Sequence, residues 1–164
     1  MLRLIGLIVA IVIFNYLGFK YNHLTRNQTL HIWMFTIAFQ MLFDIIVEFK
    51  YHGYWYFSKE VNWRGVLPHT ILIPPVNMLF LSFYPFGKRR MLKVWYILIW
   101  TGAIIIYEAL TLLPQPWGYF YSGWWTLWHS AVADPLLFLI LVAYFKWVIK
   151  LEKQSEPGRI PRIE

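Results

Sequence analysis

The chain has 164 residues, of which 59% are apolar and 21% aromatic while only 14% are charged, and its mean hydropathy is +0.50. A soluble domain of this size could not hide so much apolar surface, which excludes a water-soluble globule and leaves an integral membrane protein. The net charge of +7 raises the question of nucleic acid, but the basic residues cluster at the ends of apolar segments, so no nucleic-acid partner is expected.

In chain order, five segments are long enough to cross ~30 Å of hydrocarbon. They are Met1–Phe19, Leu30–Phe49, Val66–Tyr84, Lys93–Leu113 and Leu127–Val148. Helices are expected, because isolated strands would leave backbone groups unpaired in lipid. The first segment has only Arg3 as a charged flank and no small-residue cleavage motif after it, so it reads as a first transmembrane helix rather than a signal peptide. The joints Lys20–Thr29, Lys50–Gly65, Pro85–Arg90 and Pro114–Thr126 are polar and turn-forming. The predicted fold class is all-α, an integral membrane bundle of five transmembrane helices. Residues 1–150 form its single transmembrane domain, and residues 151–164, with Pro157, Gly158 and Pro161, form a disordered cytoplasmic tail.

Placing the N-terminus outside puts eleven of the fifteen Lys and Arg residues inside, leaving Arg3, Lys50, Lys59 and Arg64 outside. The positive-inside rule therefore predicts N-out, C-in. Cysteine is absent, which excludes disulfides and thiolate metal sites.

Glu48, His69, Pro75 and Tyr84 recur sixty residues later as Glu108, His129, Pro135 and Tyr144. Gly53-Tyr54-Trp55-Tyr56 is answered by Gly118-Tyr119-Phe120-Tyr121. Glu, His and Pro are rare inside apolar segments, so their shared spacing predicts an internal repeat. Helices 2–3 and 4–5 form two tandem parallel-repeat hairpins after an added first helix. In this topology Asp44, Glu48 and Glu108 lie in the last turns of the outward helices, and His69, His129 and Asp134 in the first turns of the inward ones. All fall within ~10 Å of the outer boundary at 1.5 Å per residue. Ionisable groups at such depth face a bundle interior. Pro74-Pro75 and Pro135 would free the carbonyls of Thr70, Ile71 and Ala131. The outer loops add Tyr54, Trp55, Tyr119, Trp124 and Trp128, which serve either as an interfacial belt or as aromatic faces over an acidic pocket. Motifs for phosphate loops, zinc proteases and di-iron bundles are missing. No metal and no cofactor is expected.

The run Asn77-Met78-Leu79-Phe80-Leu81-Ser82-Phe83-Tyr84-Pro85-Phe86, with Tyr107-Glu108 and Gly118-Tyr119-Phe120-Tyr121-Ser122-Gly123-Trp124, resembles a family of small uncharacterised polytopic membrane proteins from spore-forming Gram-positive bacteria. The resemblance covers most of the chain up to Lys150. It implies a bacterial cell membrane and supplies no catalytic residues. Tandem helical units with intramembrane carboxylates also resemble, in architecture alone, membrane-bound carotenoid and terpenoid cyclases.

Three functional readings follow. In the first, an outward-facing acidic and aromatic pocket performs acid–base catalysis on a lipid-soluble, isoprenoid-like substrate. Glu108 or Asp134 is the acid and His129 tunes or accepts the proton, while Asp44, Glu48, His69 and the aromatic residues bind the ligand. In the second, the same carboxylates serve a proton-coupled carrier or sensor for a small cation. In the third, they join helices in a structural or accessory subunit, with a second copy or another membrane protein as partner.

Overall fold

The structure, a computed structural model, describes residues 2–59, 63–114 and 118–154. Five helices make up most of it: α1 (Leu2–Lys20), α2 (Arg26–Lys50), α3 (Trp63–Phe83), α4 (Arg90–Thr111) and α5 (Leu127–Gln154). All five are long and apolar enough to cross a membrane. They match the five predicted segments, with α2, α3 and α4 each starting three or four residues earlier. A capping box accounts for the early start of α2. Thr25 Oγ1 accepts from the Gln28 N–H at 3.2 Å, and Gln28 Oε1 accepts from the Thr25 N–H at 3.2 Å. That satisfies two of the backbone donors that any helix start leaves free. At its other end, α5 runs on through Gln154, four residues past the expected limit of the domain. The expected disordered tail beyond Gln154 lies outside the described residues.

Large apolar side chains line the outer surfaces of the helices. Ile5, Ile8, Val9 and Val12 on α1, Leu98, Ile99 and Ile106 on α4, and Val132, Leu136 and Leu139 on α5 are all exposed. The interior is knit by aromatic packing between helices distant in sequence. Phe80 of α3 stacks on Phe138 of α5 at 4.2 Å between centroids, and Phe35 of α2 on Tyr144 of α5 at 4.0 Å.

Polar contacts define the two ends of the bundle. At one end, Glu152 near the end of α5 accepts from Asn27 Nδ2 (2.8 Å) and Gln28 Nε2 (2.5 Å) at the start of α2. There a carboxylate complements the positive end of the helix. His23 packs beside this end, its N–H donating to Ser82 Oγ at 3.2 Å. At the other end, the α2–α3 and α4–α5 connections pair as an antiparallel two-stranded ladder, β1 (Tyr54–Tyr56) with β2 (Phe120–Ser122). Its register is Tyr54↔Ser122, Trp55↔Tyr121 and Tyr56↔Phe120. The two Gly-Tyr-x-Tyr sequences thus meet each other. Arg3, at the start of α1, donates from a guanidinium nitrogen to Tyr121 Oη at 2.6 Å and ties the first helix to this cap.

Helix α1 packs against α3 at Gly18, where a Cβ would lie 2.8 Å from Pro75 Cβ, so only glycine permits this approach. One turn earlier, Asn15 Nδ2 donates to the Ile71 carbonyl at 2.9 Å. The α-helical donor to that carbonyl would be residue 75, and proline has no N–H. Asn15 therefore supplies what Pro75 removes. Between α2 and α3, Asn77 Nδ2 donates to Thr36 Oγ1 at 3.0 Å.

Candidate functional site

Two helices leave α-geometry near the capped end. Helix α2 widens into a π-turn over Ile45–Lys50, and α3 does so over Pro68–Leu72. Such insertions are rare and concentrate at functional sites. Here they carry Glu48 and His69, with Asp44 immediately before the first. All three side chains are buried, at 1% relative exposure for Asp44, 5% for Glu48 and 3% for His69. His69 Nδ1 lies 2.9 Å from Asp44 Oδ2, and His69 Nε2 lies 3.9 Å from Glu48 Oε2. The outer oxygens of both carboxylates are held by the protein. Asp44 Oδ1 accepts from the Tyr54 hydroxyl and from Gln40 Nε2 at 3.3 Å, and Glu48 Oε1 accepts from the Tyr56 N–H at 3.3 Å.

The two tyrosines belong to β1 and separate this cluster from a cavity of about 280 Å³. Burial first, and the Asp44 carboxylate next, hold both phenols well above the usual tyrosine range, with Glu48 adding to the effect. They therefore stay protonated, and Tyr54 stays a donor to Asp44, at any physiological pH. Behind them, the Tyr56 ring meets His69 edge-on at 5.0 Å.

The cavity lies between the two hairpins. Its walls include Phe35, Phe39, Phe43, Trp100 and Phe138, with Tyr107 and Tyr119, which hydrogen-bond to each other, toward the cap. The carboxylates of Glu108 and Asp134 also line it. Glu108 is hydrogen-bonded to Ser130, whose Oγ also accepts from Trp125 Nε1 at 2.9 Å. Asp134, one helical turn further along α5, has its Oδ2 buried without a hydrogen-bond partner among the described residues. No Lys or Arg is among the described residues that line the cavity.

The predicted site residues are thus sorted into three places. Asp44, Glu48 and His69 converge in the closed cluster, with Tyr54 as its wall. Glu108, Asp134 and Tyr119 line the cavity. His129, Trp55, Trp124 and Trp128 stand outside it. His129 is exposed at the start of α5, where Nδ1 accepts from the Thr126 N–H at 3.0 Å and the ring packs on Trp124 and Trp125. It caps a helix. Trp55 stacks on Tyr121 beneath the Lys59 ammonium, Trp124 Nε1 donates to the Tyr51 carbonyl at 2.9 Å, and Trp128 is 82% exposed. These fit an interfacial belt. Gln40, Tyr56, Tyr107 and Ser130 were not among the predicted site residues. The first was visible as an amide four residues before Asp44, hence on the same helix face.

No protein-family model, curated protein or solved structure matches the chain.

Proposed function

We propose that this chain is a bacterial cell-membrane protein that admits a small lipid-soluble molecule to the cavity between its hairpins and acts on it by acid–base chemistry. The observation that carries this reading is the pair of carboxyl groups, Glu108 and Asp134, on the wall of a largely aromatic and aliphatic cavity with no Lys or Arg among its described lining residues. A cavity of 280 Å³ has the liquid volume of about nine waters, which suits a compact terpenoid or the end of a longer isoprenoid chain. Asp134, with a free oxygen, presents the proton, and Glu108, oriented by Ser130, accepts one from the neighbouring carbon. The aromatic faces shield positive charge that develops between the two steps.

The resemblance to polytopic proteins of spore-forming bacteria and the eleven-to-four charge split support insertion with the N-terminus outside and the C-terminus in the cytoplasm. The cavity then opens toward the outer leaflet, and the lipid-soluble ligand arrives from the membrane itself. The internal repeat rests on the shared sixty-residue spacing; the ladder between the two connections sets Tyr54 equivalent to Phe120, one position from its sequence counterpart Tyr119. The two hairpins then diverge in chemistry, one supplying the closed cluster and the other the open carboxylates.

A proton-coupled carrier is the second reading, favoured by one contact. Tyr54 lines the cavity and donates to Asp44, so it links the cavity to the cluster behind it. Deuterium separates the two. Membranes containing the protein are incubated in deuterated buffer with the isoprenoid fraction extracted from the same membranes. Acid–base chemistry places carbon-bound deuterium in the lipid with wild type and not with Asp134→Asn. A carrier leaves the lipid unlabelled with both.

A further inference from the structure

We propose that Asp44, Glu48 and His69 form a binding site for one divalent first-row transition-metal ion, held behind Tyr54 and Tyr56. The inference stands apart from the cavity chemistry above and rests on four observations about other residues.

The first is convergence. One donor atom from each of the three residues lies within 4.8 Å of the others. Bonds of ~2.0–2.2 Å to a common ion place donors about 3 to 4 Å apart, so the widest separation has to close by roughly 1 Å. The second is unmet bonding. Asp44 Oδ2, Glu48 Oε2 and His69 Nδ1 are buried without a hydrogen-bond partner among the described residues, although Oδ2 and Nδ1 are 2.9 Å apart. They are close but not aligned to share a proton, which is how neighbouring ligands of one ion sit.

The third is the outer shell. On each carboxylate one oxygen is engaged by a fixed donor, Tyr54 and Gln40 on Asp44 and the Tyr56 N–H on Glu48. The other oxygen of each faces the His69 ring, Asp44 Oδ2 at Nδ1 and Glu48 Oε2 at Nε2. Ligating carboxylates are oriented in this way by second-shell hydrogen bonds. The fourth is charge. Two carboxylates and an imidazole are buried with no Lys or Arg bonded to them among the described residues. A divalent ion bound to two carboxylates and a neutral imidazole makes the cluster neutral, whereas a protonated imidazole alone leaves one negative charge uncompensated. The oxygen-rich set with one nitrogen suits Zn²⁺ or Mn²⁺ over softer ions. Three protein donors leave at least one position for water.

The test uses tag-free, full-length protein in detergent, stripped with chelator and titrated with Zn²⁺, Mn²⁺ and Co²⁺. Wild type should bind one ion per chain, with ligand-field absorption in the Co²⁺ form and a higher unfolding temperature when loaded. Glu48→Gln and His69→Asn should lose at least tenfold in affinity, while His23→Ala, on a histidine at the opposite end of the bundle, should bind as wild type. Tyr54→Phe keeps all three ligands and should weaken binding roughly 10- to 100-fold through the lost hydrogen bond. If the ligand variants do not fold, this variant and the Co²⁺ spectrum of wild type carry the test. Wild type without one-to-one binding of any of the three ions, or folded ligand variants that bind as tightly as wild type, would overturn the site.

Discussion

Replacing Asn15 by Leu removes the one side chain that supplies the Ile71 carbonyl with the donor Pro75 lacks. Asn15 Nδ2 sits 2.9 Å from that carbonyl and 2.8 Å from its own Ile11 carbonyl. Only the first bond crosses between helices. Interhelical hydrogen bonds in membranes average ~0.6 kcal/mol and reach ~1.7, and an acceptor left unmet away from water costs ~1–3 kcal/mol. Asn15→Leu should therefore destabilise the bundle by about 1–2 kcal/mol. Pro75→Ala restores an N–H to residue 75 and lets the Ile71 carbonyl close an ordinary helical bond. In that background Asn15→Leu should cost less by about 1 kcal/mol, because the carbonyl no longer depends on Asn15. Reversible unfolding in mixed micelles of the four proteins in the cycle measures the coupling. Strictly additive costs would refute the claim that Asn15 compensates for the proline.

Three further outcomes follow from the same structure. Tyr54→Phe removes a donor from the buried Asp44 carboxylate and should cost ~1–3 kcal/mol. The Tyr54 phenol is held above its ordinary value of 10.0, so its contribution is complete below that pH. It fades as pH rises toward the folded value, and a melting curve against pH should lose this alkaline slope in the variant. For orientation, the chain's lack of cysteine makes labelling simple. A cysteine at Lys59 should react with an impermeant thiol reagent in intact cells and one at Lys88 should not, and the reverse pattern would invert the topology. Asp134→Asn should leave the melting temperature within a few degrees of wild type, since Oδ2 has no hydrogen bond to lose. A large drop would mark Asp134 as a residue that joins helices.

The five helices were legible because their length and apolar content decide the matter in lipid, where backbone groups must be satisfied within the segment. The placement of Asp44, Glu48, Glu108, His69 and Asp134 toward one end of the bundle was legible too, since helical rise turns sequence position into distance along the helix. Which of them meet was not. The sixty-residue spacing pairs His69 with His129, yet His69 is closed in by two carboxylates while His129 caps the start of α5. The difference lies in the π-turn over Pro68–Leu72, which re-aims His69 and leaves no trace in hydropathy. The β1–β2 ladder escaped because three-residue strands are too short to show alternation. Its only signal was the repeated Gly-Tyr-x-Tyr. Nothing in the sequence pattern singles out Asn15, and its role emerges only when α1 is laid against the proline-broken backbone of α3.

Native mass spectrometry of protein released directly from its own membranes tests the central claim, that the cavity holds a lipid-soluble molecule. Ala133 lines the cavity beside Asp134, and Ala133→Phe fills the space while leaving both carboxylates in place. Wild type should carry an apolar adduct of defined mass at about one per chain, and Ala133→Phe should lose that adduct while melting near the wild-type temperature. An adduct-free wild type, or an adduct kept by the filled variant, would contradict the account.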